Sequence, residues 1–181
     1  MLCLTWTRPK KPRPWLCAVL AGATLASAGL QASLVQAADL SGSDRPMLTL
    51  SCADGRPVKS FSAEQLRQLP QATIQTALPA GLGGIGRQDW SGVTLQTLLE
   101  QSHCTGTHLK MLALNAYADT IPLRDIDTYG PVLAYARNGQ PLTVRDKGPL
   151  IVIYPFDQHP ELNSQVYLNR SVWQVYAIEI R

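Results

Sequence analysis

Asn138-Gly139 lies between two short runs, Val132–Arg137 and Pro141–Val144, that are rich in strand-forming residues. Asn and Gly tolerate the consecutive left-handed backbone conformations that turn a chain back with the twist paired strands require, so this stretch is committed to an antiparallel hairpin. Other runs carry strand patterns as well. Met47–Ser51 alternates apolar and polar residues, and Asp54-Gly55 turns it back into Val58–Phe61. Ala72–Ala77 with Ile74 inward, Leu109–Ala113, Asp119–Leu123 and the continuous apolar run Leu150–Tyr154 follow, and Trp173–Ile180 alternates to the end. Helical signals are fewer. Ser62 with Gln65 three residues later forms a capping box, with Leu66 and Leu69 facing inward and Pro70 as the stop. Val93, Leu95, Leu98 and Leu99 have helical spacing through about Ser102. Strands dominate, helices are few and short, and no β-α-β alternation recurs, so the expected class is α+β with mixed sheets.

The first residues follow different rules. Arg8, Lys10, Lys11 and Arg13 precede an uncharged stretch of small and apolar residues from Trp15 to Leu30, and Val35-Gln36-Ala37 offers a signal-peptidase site. Residues 1–37 are expected to be a secretory signal and residues 38–181 a single exported domain, placed in the periplasm. The apolar run is too short for a membrane anchor and ends in polar residues. Without the leader, Lys plus Arg falls from 16 to 12 against 13 acidic residues, a net charge of −1. No basic cluster remains, which excludes a nucleic-acid partner resting on charge. Two of the four cysteines, Cys52 and Cys104, survive cleavage. In an oxidising compartment they are expected to pair.

Gly81–Gly86 has the composition of a phosphate loop but not its context, because Trp90-Ser91-Gly92 intervenes before the helix and no Gly-Lys-Ser/Thr is present. It reads as a surface loop or as a ligand rim, where glycines allow close backbone approach and Arg87 and Trp90 supply a cation and a stacking face. His103, Cys104, His108 and distant Cys52 match no standard zinc spacing. His159 sits in a Pro-bounded loop and is expected to be exposed. Asp119, Asp125, Asp127, Asp146 and Asp157 are scattered through loops, where carboxylates make turns and caps as readily as they do acid–base work. Arg145-Asp146-Lys147-Gly148-Pro149 is a charged corner, either a plain turn or a binding element.

Five segments in order resemble the sulfite-oxidase-like, molybdopterin-binding oxidoreductase domain. Asp89-Trp90-Ser91-Gly92-Val93-Thr94-Leu95 with Leu98-Leu99 looks like its W-x-G-V-x-L-x-x-L-L segment. Ala116–Asp119 with Ile121-Pro122-Leu123 and Asp125 looks like its A-x-D-x-x-x-x-I-P-L-x-D corner. Val132–Tyr135 with Asn138–Leu142 resembles its L-A-x-x-x-x-G-x-P-L hairpin, and Lys147–Pro155 its G-x-P-L-R-L-x-x-P strand. Arg170-Ser171-Val172 resembles the R/K-S-V segment before the last strand. The resemblance implies the mixed α+β sulfite-oxidase fold and a pterin pocket. Family enzymes bind molybdenum through a Cys in the loop before the Trp, and here Leu78–Asp89 contains none. The basic residue that follows R-S-V in the family and helps hold the cofactor phosphate is Trp173 here. The resemblance therefore implies a small exported pterin-binding regulator without molybdenum, acting on the periplasmic domain of a membrane signalling protein such as a cyclic-di-GMP enzyme or sensor kinase. The alternative is a molybdopterin-dependent oxidoreductase. The expected ligand residues are Trp90 or Trp173 for stacking, and Arg87, Arg170 and Asp119 for the polar edge of the pterin; no catalytic residue and no metal ligand is assigned.

Overall fold

The computed structural model describes residues 45–181. The leader expected over residues 1–37 lies outside them. Ten strands form two five-stranded sheets. In the first sheet, β1 (Leu48–Cys52) turns at Gly55 into β2 (Pro57–Phe61). The last strand, β10 (Val175–Ile180), lies between β1, to which it is parallel, and β5 (His108–Ala113), to which it is antiparallel. β6 (Ala118–Pro122) completes the edge beyond β5. The alternation of β5 puts Leu109, Met111 and Ala113 in the core and leaves the intervening residues half-buried.

The second sheet contains β3 (Ala72–Thr76), β4 (Gln88–Thr94) and β7 (Val132–Arg137), with β8 (Gln140–Pro141) and β9 (Ile151–Ile153) both paired to β7. The Asn138-Gly139 turn is present, with both residues at positive φ. β4 replaces part of the expected helix. Val93 is a buried strand residue, and helix α2 (Leu95–Ser102) begins only after Thr94, whose hydroxyl accepts the amide of Thr97 at 3.1 Å. The strand is possible because Gly92 lets β4 and β7 approach closely: a Cβ there would lie 2.0 Å from the carbonyl oxygen of Leu133.

Helix α1 (Ala63–Gln68) has the expected capping box, with the Gln65 amide donating to Ser62 Oγ at 3.3 Å and the Ser62 amide donating to Gln65 Oε1 at 2.8 Å. Cys52 and Cys104 form the expected disulfide, with their Cα atoms 5.6 Å apart, and it ties the end of β1 to the loop after α2. Two helices have no counterpart in the sequence reading, α3 (Leu123–Tyr129) and α4 (Gln165–Arg170). Polar and aromatic contacts join them. Asp125 on α3 is 2% exposed and accepts from Arg170 Nη1 at 2.6 Å and from the Tyr154 hydroxyl at 3.5 Å. The Tyr167 ring lies 5.5 Å from both Tyr129 and Tyr154, edge to face. His159, expected in an exposed loop, is half-buried against Tyr129 at 5.1 Å.

Burial, and then the Asp125 carboxylate, push the Tyr154 phenol well above its usual range; the hydrogen bond with the Tyr167 hydroxyl, and then desolvation, push Tyr129 up to about 12. An unfolded tyrosine loses its proton near pH ~10. Above that pH the folded protein binds more protons than the unfolded chain, so the contribution of these phenols to stability is complete below about pH 10 and is lost as pH rises further. The urea midpoint is expected to fall between pH 9 and pH 11, and to fall less in Tyr154→Phe. Equal losses in the two proteins would refute the assignment. For Gly92→Ala, the backbone clash is expected to cost about 3 kcal/mol or more in the same urea assay at neutral pH.

Candidate functional site

The peptide from Ser171 to Val175 passes between the two sheets. The amide of Val152 donates to the carbonyl of Val172 at 2.9 Å, and Ile151 bridges to Trp173. The next residues enter the first sheet as β10. Val172 and Val175 point into the core, and Trp173 between them is half-buried. Its indole forms one wall of a cavity of about 190 Å³. Gly81 and Leu82, in a 3-10 turn over Ala80–Leu82, form a second wall; Gln165, Leu168 and Asn169 of α4 form a third; and Asn115 and Tyr117, from the turn between β5 and β6, form the fourth. This volume lies below the roughly 300–1,000 Å³ of sites for drug-sized ligands, so the cavity suits one flat ring system rather than a large molecule.

The polar groups in the lining are amides and hydroxyls. Tyr117 donates to the carbonyl of Asn169 at 3.2 Å and reaches Asp119 Oδ2 at 3.4 Å, joining β6 to α4 across the cavity. Burial, and then the nearby Asp119 carboxylate, raise the Tyr117 phenol, so it remains a donor at neutral pH. Outside the lining, the Lys147 ammonium sits 3.8 Å from the centroid of the Trp173 ring.

The five expected ligand residues separate. Trp173 is at the cavity. Asp119 stands behind it, holding Tyr117 and accepting the Thr120 amide at 2.6 Å. Arg170 is adjacent in sequence to the cavity residue Ser171, but Nη1 of its guanidinium is bonded to Asp125. Arg87 lies elsewhere, exposed and 3.7 Å from Asp157. Trp90 is a correction. It is 0% exposed, its indole N–H donates to the Thr76 carbonyl at 3.2 Å, and it offers no face to a ligand. Indole burial at the centre of a sheet outweighs exposure wherever the N–H finds a partner. Tyr117, Gln165, Asn169 and Lys147 were not singled out from the sequence. Lys147 had a signal in the charged corner and Tyr117 in the Ala116–Asp119 segment; Gln165 and Asn169 had none.

Two parts of the implied cofactor fare differently. Both cysteines among the described residues are consumed by their mutual disulfide, and no three His, Cys, Asp or Glu side chains among those residues converge as a metal-binding group. This donor set does not fit molybdenum held by a protein thiolate. The lining's indole, apolar side chains and amides are the residue types a pterin ring requires, with Gln165 donating to Asn169 Oδ1 at 2.7 Å within the lining.

Comparison with known proteins agrees with this fold. The model of a family described as the oxidoreductase molybdopterin binding domain matches residues 33–157, more than half of the chain, and the chain belongs to that family. In fold it is similar to the crystal structure of the sulfane dehydrogenase SoxCD from Paracoccus pantotrophus, with a TM-score of 0.56 and 20% identity over 78% of this chain. The chain spans 39% of the length of that neighbour. No curated protein matches it significantly. The family and the mixed α+β fold implied by the sequence resemblance are therefore those found. Of the two functions it suggested, these findings support the molybdopterin-binding, oxidoreductase-like reading, and they do not bear on the exported signalling role.

Proposed function

We propose that this member of the oxidoreductase molybdopterin-binding family holds the ring of a molybdopterin-type pterin in the cavity against Trp173, without a protein thiolate on a metal. One observation carries this reading. The loop that bears the metal-ligating Cys in the family and the position that bears its phosphate-binding base are distant in sequence, yet here they line the same cavity, through Gly81 and Leu82 and through Trp173. Stacking on an indole and hydrogen bonding to amides of both polarities suit a pterin, whose flat ring carries adjacent donors and acceptors. When bound, molybdopterin supplies redox chemistry. This chain's own residues bind and orient the ring and screen it from water.

The absent thiolate favours a second reading of the same site, in which the protein is exported to the periplasm and reports pterin occupancy to a membrane signalling partner. The metal separates the two. The full chain should be expressed in a bacterium that makes molybdopterin and recovered from the periplasmic fraction, then assayed for molybdenum by mass spectrometry and for pterin by fluorescence after oxidation. Bound pterin without stoichiometric molybdenum is the expected result. One equivalent of molybdenum would establish the oxidoreductase reading and refute the metal-free one, and absence of both would refute pterin binding. A protein retained in the cytoplasm with its leader intact would refute export. Trp173→Ala is expected to weaken pterin binding about tenfold, whereas Arg87→Ala, outside the cavity lining and beside Asp157, leaves it unchanged.

A further inference from the structure

We propose that the protein forms a symmetric dimer in which β3 of one copy pairs antiparallel with β3 of a second copy, joining their second sheets into one. Such pairing is independent of what the cavity binds. The two sheets have four ends, and three of them are closed to further pairing. At one end of the first sheet, β2 starts at Pro57, carries Lys59 and pairs with a break in register between Leu50 and Ser51. Proline, lysine and an irregular register all discourage strand addition. At the other end, α4 packs against β6, and Asp119 puts a charge on that strand. In the second sheet, β8 is two residues long and ends in Pro141. β9 is covered by the residues leading into β10, with the Val152 amide donating to the Val172 carbonyl and Ile151 bridging to Trp173. β3 has none of these protections. Its sequence, Ala-Thr-Ile-Gln-Thr, holds no charge, proline or glycine, and it pairs with β4 alone. Among the described residues, the backbone of Ala72–Gln75 makes no backbone–backbone hydrogen bond beyond that pairing. Its outer row of amides and carbonyls is a template for another strand.

The pattern of β3 selects a second copy as the occupant. Alternate residues of a strand face opposite ways, and residues directly opposite in an antiparallel pair share a face. About a two-fold axis at Ile74, Ile74 meets its own equivalent, Thr73 meets Gln75 and Ala72 meets Thr76. Odd positions then oppose odd and even oppose even, so the amides that point away from β4 on one copy meet those that point away from it on the other. The side chains are compatible in this register. Thr73 and Gln75 are exposed and neutral, and each is held from the β4 side, Thr73 by Ser91 at 2.9 Å and Gln75 by Asp89 at 2.9 Å. No like charges are opposed within the pair of strands. Ile74 is only half-buried, and a second Ile74 gives it an apolar neighbour across the axis. Each copy has one such open end, so the pairing closes as a dimer and does not grow into a filament. The axis also lies at the root of the cavity, because β3 runs through Ala77 into the turn whose Gly81 and Leu82 form one wall.

Sedimentation velocity of the full chain, recovered as above, tests this over a concentration series. One short strand pair makes a small interface, so a reversible dimer is expected, half-formed on the order of 100 μM. Thr73→Lys/Gln75→Lys sets lysine against lysine on both sides of the axis and is expected to weaken the dimer about tenfold. Thr73→Lys/Gln75→Glu sets lysine against glutamate at the same places and is expected to restore it. Both positions are exposed, and circular dichroism checks that each variant is folded. Under mild oxidation Ile74→Cys is expected to give a disulfide-linked dimer on a non-reducing gel, and Gln75→Cys, whose equivalent lies off the axis, to give none at the same concentration. A wild-type chain that stays monomeric up to about 1 mM overturns the proposal, and so does self-association that both double variants leave unchanged. Crosslinking through position 75 and not through position 74 overturns the two-fold at Ile74. Amide exchange over Ala72–Thr76 is expected to slow as the concentration of the chain rises. Protection that appears only on adding a periplasmic extract to a monomeric chain would assign this edge to a strand of another protein and overturn the dimer.

Discussion

The molecule is organised by one stretch of backbone, residues 171–175, whose hydrogen bonds belong to both sheets. Val172 accepts from Val152 of β9, and the Val175 amide donates to Leu150 at 3.0 Å, before the same chain becomes the central strand β10. Buried peptide groups need partners, and both strands here are buried, so the register of one sheet sets that of the other. Strand alternation does the rest. With Val172 and Val175 held in the core, Trp173 cannot turn inward and its ring is left to wall the cavity.

The opposite wall has a different basis. Helix α4 has six residues, none of them fully buried, and a helix that short has no stability of its own in water. It is held along its C-terminal half by contacts made elsewhere. Arg170 pairs with buried Asp125, the Tyr167 ring packs among Tyr129 and Tyr154, and Leu168 lies against Gly81, where an added Cβ would meet its Cδ1 at 2.6 Å. Removing one partner from a buried ion pair typically costs about 3–5 kcal/mol, because the other charge is stranded. Asp125 therefore acts on the cavity without touching it: it fixes the helix that supplies Gln165 and Asn169.

Much of the strand framework was legible because alternation and turn chemistry are local. The hairpin at Asn138-Gly139, the alternating β5 and β10 and the capping box at Ser62 all follow from residues within a few positions of one another. β4 was misread because a glycine flanked by Trp90 and Val93 looks like a loop running into a helix. It is a strand only because the Leu133 backbone lies against Gly92, a contact about forty residues away in sequence. Helices α3 and α4 left little signal because what holds them is an ion pair and a set of aromatic edges rather than an apolar stripe. Trp90 and Trp173 were not distinguishable from each other, since a tryptophan's type does not reveal whether its N–H has a buried acceptor. Arg87 and Arg170 looked like free cations, and the carboxylates that engage them, Asp157 and Asp125, are brought to them only by the tertiary fold.

Along the sequence, the segments that resemble the family's lose charge here. The base after R-S-V has become Trp173, and the Arg of the G-x-P-L-R-L-x-x-P strand has become Ile151, which is 0% exposed and pairs with Trp173. Lys147 stands at the position of the first Gly in that motif, and its ammonium lies over the Trp173 ring. The arrangement has a direction. Apolar residues and neutral amides form the interior, where an unpaired charge would be costly to desolvate, and the cation remains outside, where water and a ring face can satisfy it.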